Sequence, residues 1–258
     1  MMGEYNNIEL SIAEVKKDVD LIFWSTKLSN LYRFTHQRYW EEETIQNQYA
    51  IRIEGLDTAG NKIPRAESVA EHSWHIADIA LIIAPRFQEL NLEKCLLISI
   101  LHDKLEIITG DKNPLGKNGK GTKTHAFNSE KRASKNELEK EALEKYLSKL
   151  NEYTLNIQKS SLLDTLSLAS IESKFIKAID KIHPLIYIIR KKRGKMLDDH
   201  IIFTLRYSRT YFDYFPQLEP YYNEILDRLF IEISNYRKCD VNDLRSKFHV
   251  EQLDLFNN

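Results

Sequence analysis

Apolar positions along this chain recur every three or four residues, the spacing that gathers them on one face of an α-helix. No sustained two-residue alternation bounded by Asn-Gly or Asp-Gly turns occurs, so an almost all-α fold is expected. Residues 8 to about 49 read as two amphipathic helices rich in aromatics, among them Phe23, Trp24, Tyr32, Phe34, Tyr39 and Trp40, and core packing accounts for most of these. Residues 55–64 turn to Gly, Asp, Asn and Thr and predict a loop. The helix after it has a clear start, because Ser68 with Glu71 three residues on makes a capping box. Along that helix Val69, His72, Ile76, Ile79 and Ile83 form one stripe, so His72 is expected to point inward.

Residues 91 to about 108 predict a helix that is apolar nearly all round, the mark of a buried central element, yet it carries His102, Asp103 and Glu106. Gly110 is placed to end it in a left-handed conformation. The following segment, GDKNPLGKNGKGTK, holds four glycines and four lysines and reads as a mobile, solvated loop, and Gly121 after Lys120 excludes a phosphate-cradling Walker loop. Residues 129–150 form a charged amphipathic helix. Residues 162–189 are helical again, with Ile176, Asp180, His183 and Tyr187 on one stripe, and Pro184 predicts a kink or an end there. Two or three more helices follow, the last from about 218 to 236. The whole of 1–258 is read as one domain, a core at about 20–190 and a helical extension at about 195–258.

Composition narrows the function classes. With 37 Lys and Arg against 38 Asp and Glu the formal charge is −1, so no global positive field recommends nucleic acid or an anionic membrane as partner. Only Cys95 and Cys239 occur, far apart, which excludes a disulfide scaffold and a cysteine-type zinc site and suits a reducing cytoplasm. The longest apolar runs fall far short of the roughly 20 residues a membrane helix needs. The stretch MMGEYNNIEL has neither a basic flank nor an apolar signal core, so no targeting signal is expected and the cytoplasm is the expected location.

Burying a charge without a partner costs several kcal/mol or more, so Asp103 on an apolar helix demands an explanation, and a cation is the obvious one. His102 and Asp103 differ by about 100° round a helix, which lets both reach one ion lying off the flank between them. With inward-facing His72 and with Asp180 they make a mixed nitrogen and oxygen ligand set for one divalent metal, with manganese, cobalt, iron or zinc favoured over magnesium alone.

The run from Arg65 to Trp74 (RAESVAEHSW), then Leu101-His102-Asp103-Lys104-Leu105-Glu106, Thr109-Gly110-Asp111 and Lys177-Ala178-Ile179-Asp180-Lys181, resembles the HD-domain metal-dependent phosphohydrolases, in particular the 5′-deoxynucleotidase branch. The resemblance covers about residues 20 to 190. It implies an all-α HD-domain helical bundle, here with an additional helical C-terminal extension, whose metal is held by His72, His102, Asp103 and Asp180. It also implies catalytic duty for Glu106 and Asp111, and substrate contacts from Arg65 and from Arg33, which is followed by the aromatic Phe34. The implied reaction removes the 5′-phosphate of a (deoxy)nucleoside monophosphate by attack of a metal-bound hydroxide.

Lys104 and Lys112 depart from the apolar residues usual at their positions in that family. Lys112, with Lys117, Lys120 and Lys123, could close over phosphates as a lid, although a solubilising loop fits their composition as well. Trp74 could stack on a base or simply pack in the core. Glu106 has a rival role as the acceptor that fixes His102. His75 is read as a surface group or a residue behind the ligands. Three other readings of the same scaffold stay open: hydrolysis of nucleoside triphosphates or signalling nucleotides, a diiron oxygenase drawing on Glu106, His75 or His183, and a catalytically silent nucleotide sensor. Relatives are often dimers, and the aromatic-rich ends offer an interface for a homodimer.

Overall fold

Ser68 and Glu71 cap one another as their spacing predicts. The Glu71 backbone N–H donates to Ser68 Oγ at 3.2 Å, and Glu71 Oε2 accepts from the Ser68 N–H at 2.9 Å. This box opens the helix that carries the first imidazole of the site. The structure, a computed structural model, describes residues 11–34, 39, 53–56, 62–65, 67–116 and 119–249. Of the second helix expected before residue 49, most lies outside them.

The elements run α1 (Ile12–Ser25), β1 (Ile53–Leu56), β2 (Lys62–Arg65), α2 (Val69–Ile83), α3 (Leu92–Leu101), α4 (Glu106–Thr109), α5 (Ser129–Leu147), α6 (Glu152–Ser167), α7 (Ile171–Lys192), α8 (Asp198–Arg209), α9 (Glu219–Arg237) and α10 (Val241–Lys247). The architecture is all-α. One small antiparallel pair departs from the loop expected at 55–64: Ile53 faces Arg65 and Leu56 faces Lys62. Asn91, Asn128, Asn151 and Ser170 cap α3, α5, α6 and α7 through their side chains, and each satisfies an otherwise orphaned N–H.

Two further expectations are corrected. The helix read over 91–108 is interrupted at His102–Leu105, where bonds from Lys104 N to Leu101 O and from Glu106 N to Asp103 O tighten the backbone to i→i+3 turns. Its faces are also less uniformly covered than its composition suggests, since Ile100 stands exposed. The helix read over 162–189 is two helices parted at Leu168, whose left-handed backbone ends α6. Pro184, by contrast, ends nothing: α7 continues through it to Lys192. The missing N–H costs one helical bond. Phe175, Ile176, Ile179, Ile182, Leu185 and Ile188, all buried on either side of the proline, hold the segment helical by packing.

Helix α7 is the axis of the larger core, which joins residues of α2, α3, α7, α8 and α9 without a division between bundle and extension. A smaller cluster gathers Leu101, Leu105, Leu143, Tyr146 and Leu162 beneath α1. The glycine-rich loop is partly anchored: Leu115 is buried, and a Cβ on Gly121 would meet the Phe203 ring at 2.8 Å. Cys95 and Cys239 are free thiols. No helix among the described residues is long and apolar enough to cross a membrane.

Gly194 follows the left-handed end of α7 with φ +81°, and a Cβ there would lie 2.1 Å from the carbonyl oxygen of Glu232 on α9. Gly194→Ala is therefore expected to destabilise the fold by roughly 1–3 kcal/mol or more, read as a lowered denaturation midpoint.

Candidate metal centre

The capped first turn of α2 presents His72, fully buried. The tight turn after α3 presents His102 and Asp103 together, and the middle of α7 presents Asp180. Their ligating atoms all lie within 4.8 Å of one another. His72 Nε2 stands 3.2 Å from His102 Nε2, 3.5 Å from Asp103 Oδ2 and 3.3 Å from Asp180 Oδ1, and His102 Nε2 stands 3.2 Å from Asp103 Oδ2. The turn matters here, because its i→i+3 bonds bring two sequence neighbours to one point.

These four residues fit a metal ion. Neighbouring ligands on a shell of radius ~2.1 Å stand about 3.0 Å apart in octahedral and about 3.4 Å apart in tetrahedral geometry, the spacing found here. His102 Nδ1 faces the Ser99 carbonyl at 2.8 Å, so it carries the proton and leaves Nε2 with a free lone pair. That lone pair points at a second imidazole nitrogen and at carboxylate oxygens, all acceptors unless protonated. A dication satisfies all four atoms at once. Burial, and after it the charge of Arg33, push the His72 imidazole below its ordinary pKa and keep it in the neutral form that ligates.

Behind His72 lies a second layer that the sequence reading did not assemble. His72 Nδ1 stands 3.2 Å from His183 Nδ1, and His183 Nε2 stands 3.6 Å from Glu67 Oε1. Glu67 is fully buried, accepts from His75 Nδ1 at 2.9 Å and pairs through Oε2 with Arg33 Nη1 at 3.0 Å. Burial pushes the Glu67 carboxyl up, but the His75 hydrogen bond and the Arg33 charge hold it well below the usual carboxylate range. Segment 31–34 reaches this position by running alongside 67–69, with Arg33 N bonded to Glu67 O at 2.9 Å and Val69 N to Leu31 O at 2.8 Å. Glu67, His75 and His183 also lie close enough to share an ion. The Arg33 guanidinium already supplies the cation there.

On the open side of the four ligands is a cavity of about 920 Å³, part of it continuous with solvent, lined by Arg33, Asp103, Glu106, Asp111, Lys112 and Asp180 among others. Glu106 Oε2 is buried with no hydrogen-bond partner among the described residues. Burial first, then the neighbouring carboxylates Asp103 and Asp111, raise the Glu106 carboxyl well above its ordinary range. Burial likewise raises Asp111, against the pull of Arg33. The Ser99 carbonyl, and not Glu106, takes the outer N–H of His102, which removes the rival role for Glu106. Trp74 is not brought to the cavity: it stands 64% exposed, edge-on to His75. Arg65 ends β2, and its side chain and Lys117 lie outside the described residues.

The chain belongs to the HD domain family. That family matches it over residues 58–218, more than half its length. The resemblance read from the sequence is thereby met. The 5′-deoxynucleotidase hdd1 of Schizosaccharomyces pombe is 26% identical over 135 residues, 51% of this chain and 61% of that protein, so the chain spans about three fifths of this relative's length. A crystal structure of a predicted metal-dependent phosphohydrolase from Magnetospirillum magnetotacticum MS-1 superposes with a TM-score of 0.57 at 17% identity, covering 85% of this chain and 94% of that one. A conserved hypothetical protein from Pyrococcus furiosus superposes with a TM-score of 0.51 at 21% identity, over 82% and 98%. These two establish the likeness of fold.

Divalent metal at about a hundred times its dissociation constant is expected to stabilise the protein by about 2.7 kcal/mol, seen as a raised thermal midpoint. Asp103→Ala should abolish that rise. His183→Ala should leave the four ligands in place but weaken metal binding by about 10 to 100-fold in a calorimetric titration, since it removes the acceptor that orients His72.

Proposed function

We propose that this HD-domain protein is a metal-dependent phosphohydrolase that cleaves the 5′-phosphoester of nucleotides, with (deoxy)nucleoside monophosphates as the simplest substrates. The observation that carries the reading is the buried Glu106 Oε2, without a hydrogen-bond partner among the described residues, in the cavity beside four converging ligands. The name of the fission-yeast relative supports the substrate class. A phosphomonoester is among the slowest substrates in water, so the site must supply both a strong nucleophile and charge neutralisation. A divalent metal held by His72, His102, Asp103 and Asp180 supplies both when bound, by acidifying water and polarising a phosphate oxygen.

The chain's own groups do the rest. Glu106, whose carboxyl is pushed up by burial and then by its acidic neighbours, is the group that exchanges a proton with the reacting water or the leaving 5′-oxygen. Asp111 sits on the same wall, placed by the turn at Gly110, whose φ of +71° is of a kind that glycine adopts without strain. Arg33 offers guanidinium N–H groups to non-bridging phosphate oxygens, while Glu67 fixes its position from behind. Lys112 lies at the cavity mouth as a further cation, and Arg65 is a candidate contact from the strand pair.

Glu106→Gln is expected to lower kcat by about 10² to 10⁴-fold with metal binding retained. Asp103→Ala should abolish phosphate release in a protein that remains folded by circular dichroism. Metal analysis checks the alternative: two irons per chain and oxygen consumption would identify a diiron oxygenase, and a fully metallated protein inert on every nucleotide would identify a sensor.

A further inference from the structure

Beside the cavity at the metal centre lies a second hollow of about 1170 Å³, part of it open solvent, and the two share Asp103, His125, Lys135, Lys177, Lys181 and Tyr207 in their walls. This shared wall is basic. Lys177 and Lys181 stand one turn apart on α7, a like-charge pair that is unfavourable unless something anionic lies between them. Lys135 comes from α5 on the facing side, with Arg132 three residues before it. Lys135 Nζ is held by Glu139 at 2.6 Å and Lys177 Nζ by Asp180 at 3.1 Å, a carboxylate already needed by the metal.

Lys181 neighbours Asp180 but makes no close ion pair with a carboxylate among the described residues. Its ammonium donates to the Tyr207 hydroxyl at 2.8 Å and lies 4.1 Å from the centre of that ring. It is only 9% exposed. The same crowd of cations acts on His125, where burial and then Lys135, Lys181, Lys177 and Arg132 press the imidazole down to about 3. A buried ammonium among like charges costs free energy in the free protein, and an arriving anion returns it.

We propose that Lys135, Lys177 and Lys181 form a subsite for a second phosphate group of the substrate. The preferred substrates are then nucleotides that carry more than one phosphate, with the 5′-phosphoester at the metal and the further phosphate on this wall. This inference rests on the phosphohydrolase reading and refines its substrate. Cleavage stays at the phosphorus bonded to the 5′-oxygen: water oxygen bonds to that phosphorus, the bond to the 5′-oxygen breaks, and the nucleoside leaves with a proton. A phosphate joined by an anhydride departs as inorganic diphosphate or triphosphate, and one carried elsewhere on the sugar stays with the nucleoside.

The test compares the metal-loaded protein on 2′-deoxyadenosine 5′-monophosphate, the 5′-triphosphate and the 3′,5′-bisphosphate, and measures affinity for each by calorimetry on the Glu106→Gln protein. The expected result is a kcat/KM and an affinity at least tenfold higher for one or both substrates with more than one phosphate. Whether the triphosphate or the bisphosphate carries the gain identifies where the second phosphate sits. Lys181→Gln and, separately, the more exposed Lys135→Gln should shrink that ratio by about tenfold, and Lys181→Arg should restore most of it. Equal constants for the mono- and multiply phosphorylated compounds would overturn the subsite while leaving the hydrolase reading intact. So would a ratio unchanged in both glutamine variants. No hydrolysis of any compound, with the affinity ratio and its loss in the variants preserved, would overturn the hydrolase reading and keep the subsite.

Discussion

Two imidazole nitrogens and two carboxylate oxygens meeting within a few ångströms, in a largely buried place, are tolerable only around positive charge. The arrangement of the fold follows from that requirement. Three separate stretches of chain must end on one point, and each is pinned there by local chemistry. Ser68 and Glu71 fix the first turn of α2, the i→i+3 bonds after α3 fold His102 and Asp103 together, and the packed length of α7 holds Asp180 in spite of the helical bond that Pro184 removes. Lys177 and Lys181 add positive charge beside Asp180, and its carboxyl is held far below its ordinary range.

Behind the ligands, one carboxylate couples two functions. Glu67 receives Arg33 on one oxygen, while its other oxygen receives His75 and faces His183, which contacts His72. The guanidinium of Arg33 at the cavity and the imidazole of His72 in the ligand cluster therefore share a single buried anchor. A shift of Glu67 would misplace both at once. Such coupling is cheap to build because segments 31–34 and 67–69 already lie side by side through backbone bonds.

Much of this was legible in the sequence, for identifiable reasons. The capping box and the inward stripe located His72, and a charge on an apolar helix flagged Asp103, because burial leaves a compositional mark. Glu67 escaped, and His183 was placed on the stripe of Asp180 without its role behind His72, because those roles lie in contacts across about 110 positions. Pro184 misled in the opposite direction: its local preference is real, and the buried row from Phe175 to Ile188 outweighs it. The turn at His102–Leu105 was hidden because its residues fit a continuing helix as well as a tightened one. The strand pair at 53–65 was missed because each strand is only four residues long, too short for alternation to register.

The extension completes the site. Phe203, Thr204 and Tyr207 of α8 form a wall of the cavity, and Tyr207 holds the one lysine of the basic wall that makes no close ion pair with a carboxylate among the described residues. The metal ligands come from α2, the turn after α3, and α7, whereas Phe203, Thr204 and Tyr207 come from the part of the chain beyond about residue 195. The two parts nevertheless share a continuous core, so the position of the wall relative to the metal is set by the packing of α8 and α9 on α7. On the proposed function, a substrate is thus gripped at its reacting phosphorus by the groups that the chemistry needs. What lies beyond that phosphorus is met by side chains that need not serve the reaction at all, and that is where a protein of this kind has the freedom to choose what it acts on.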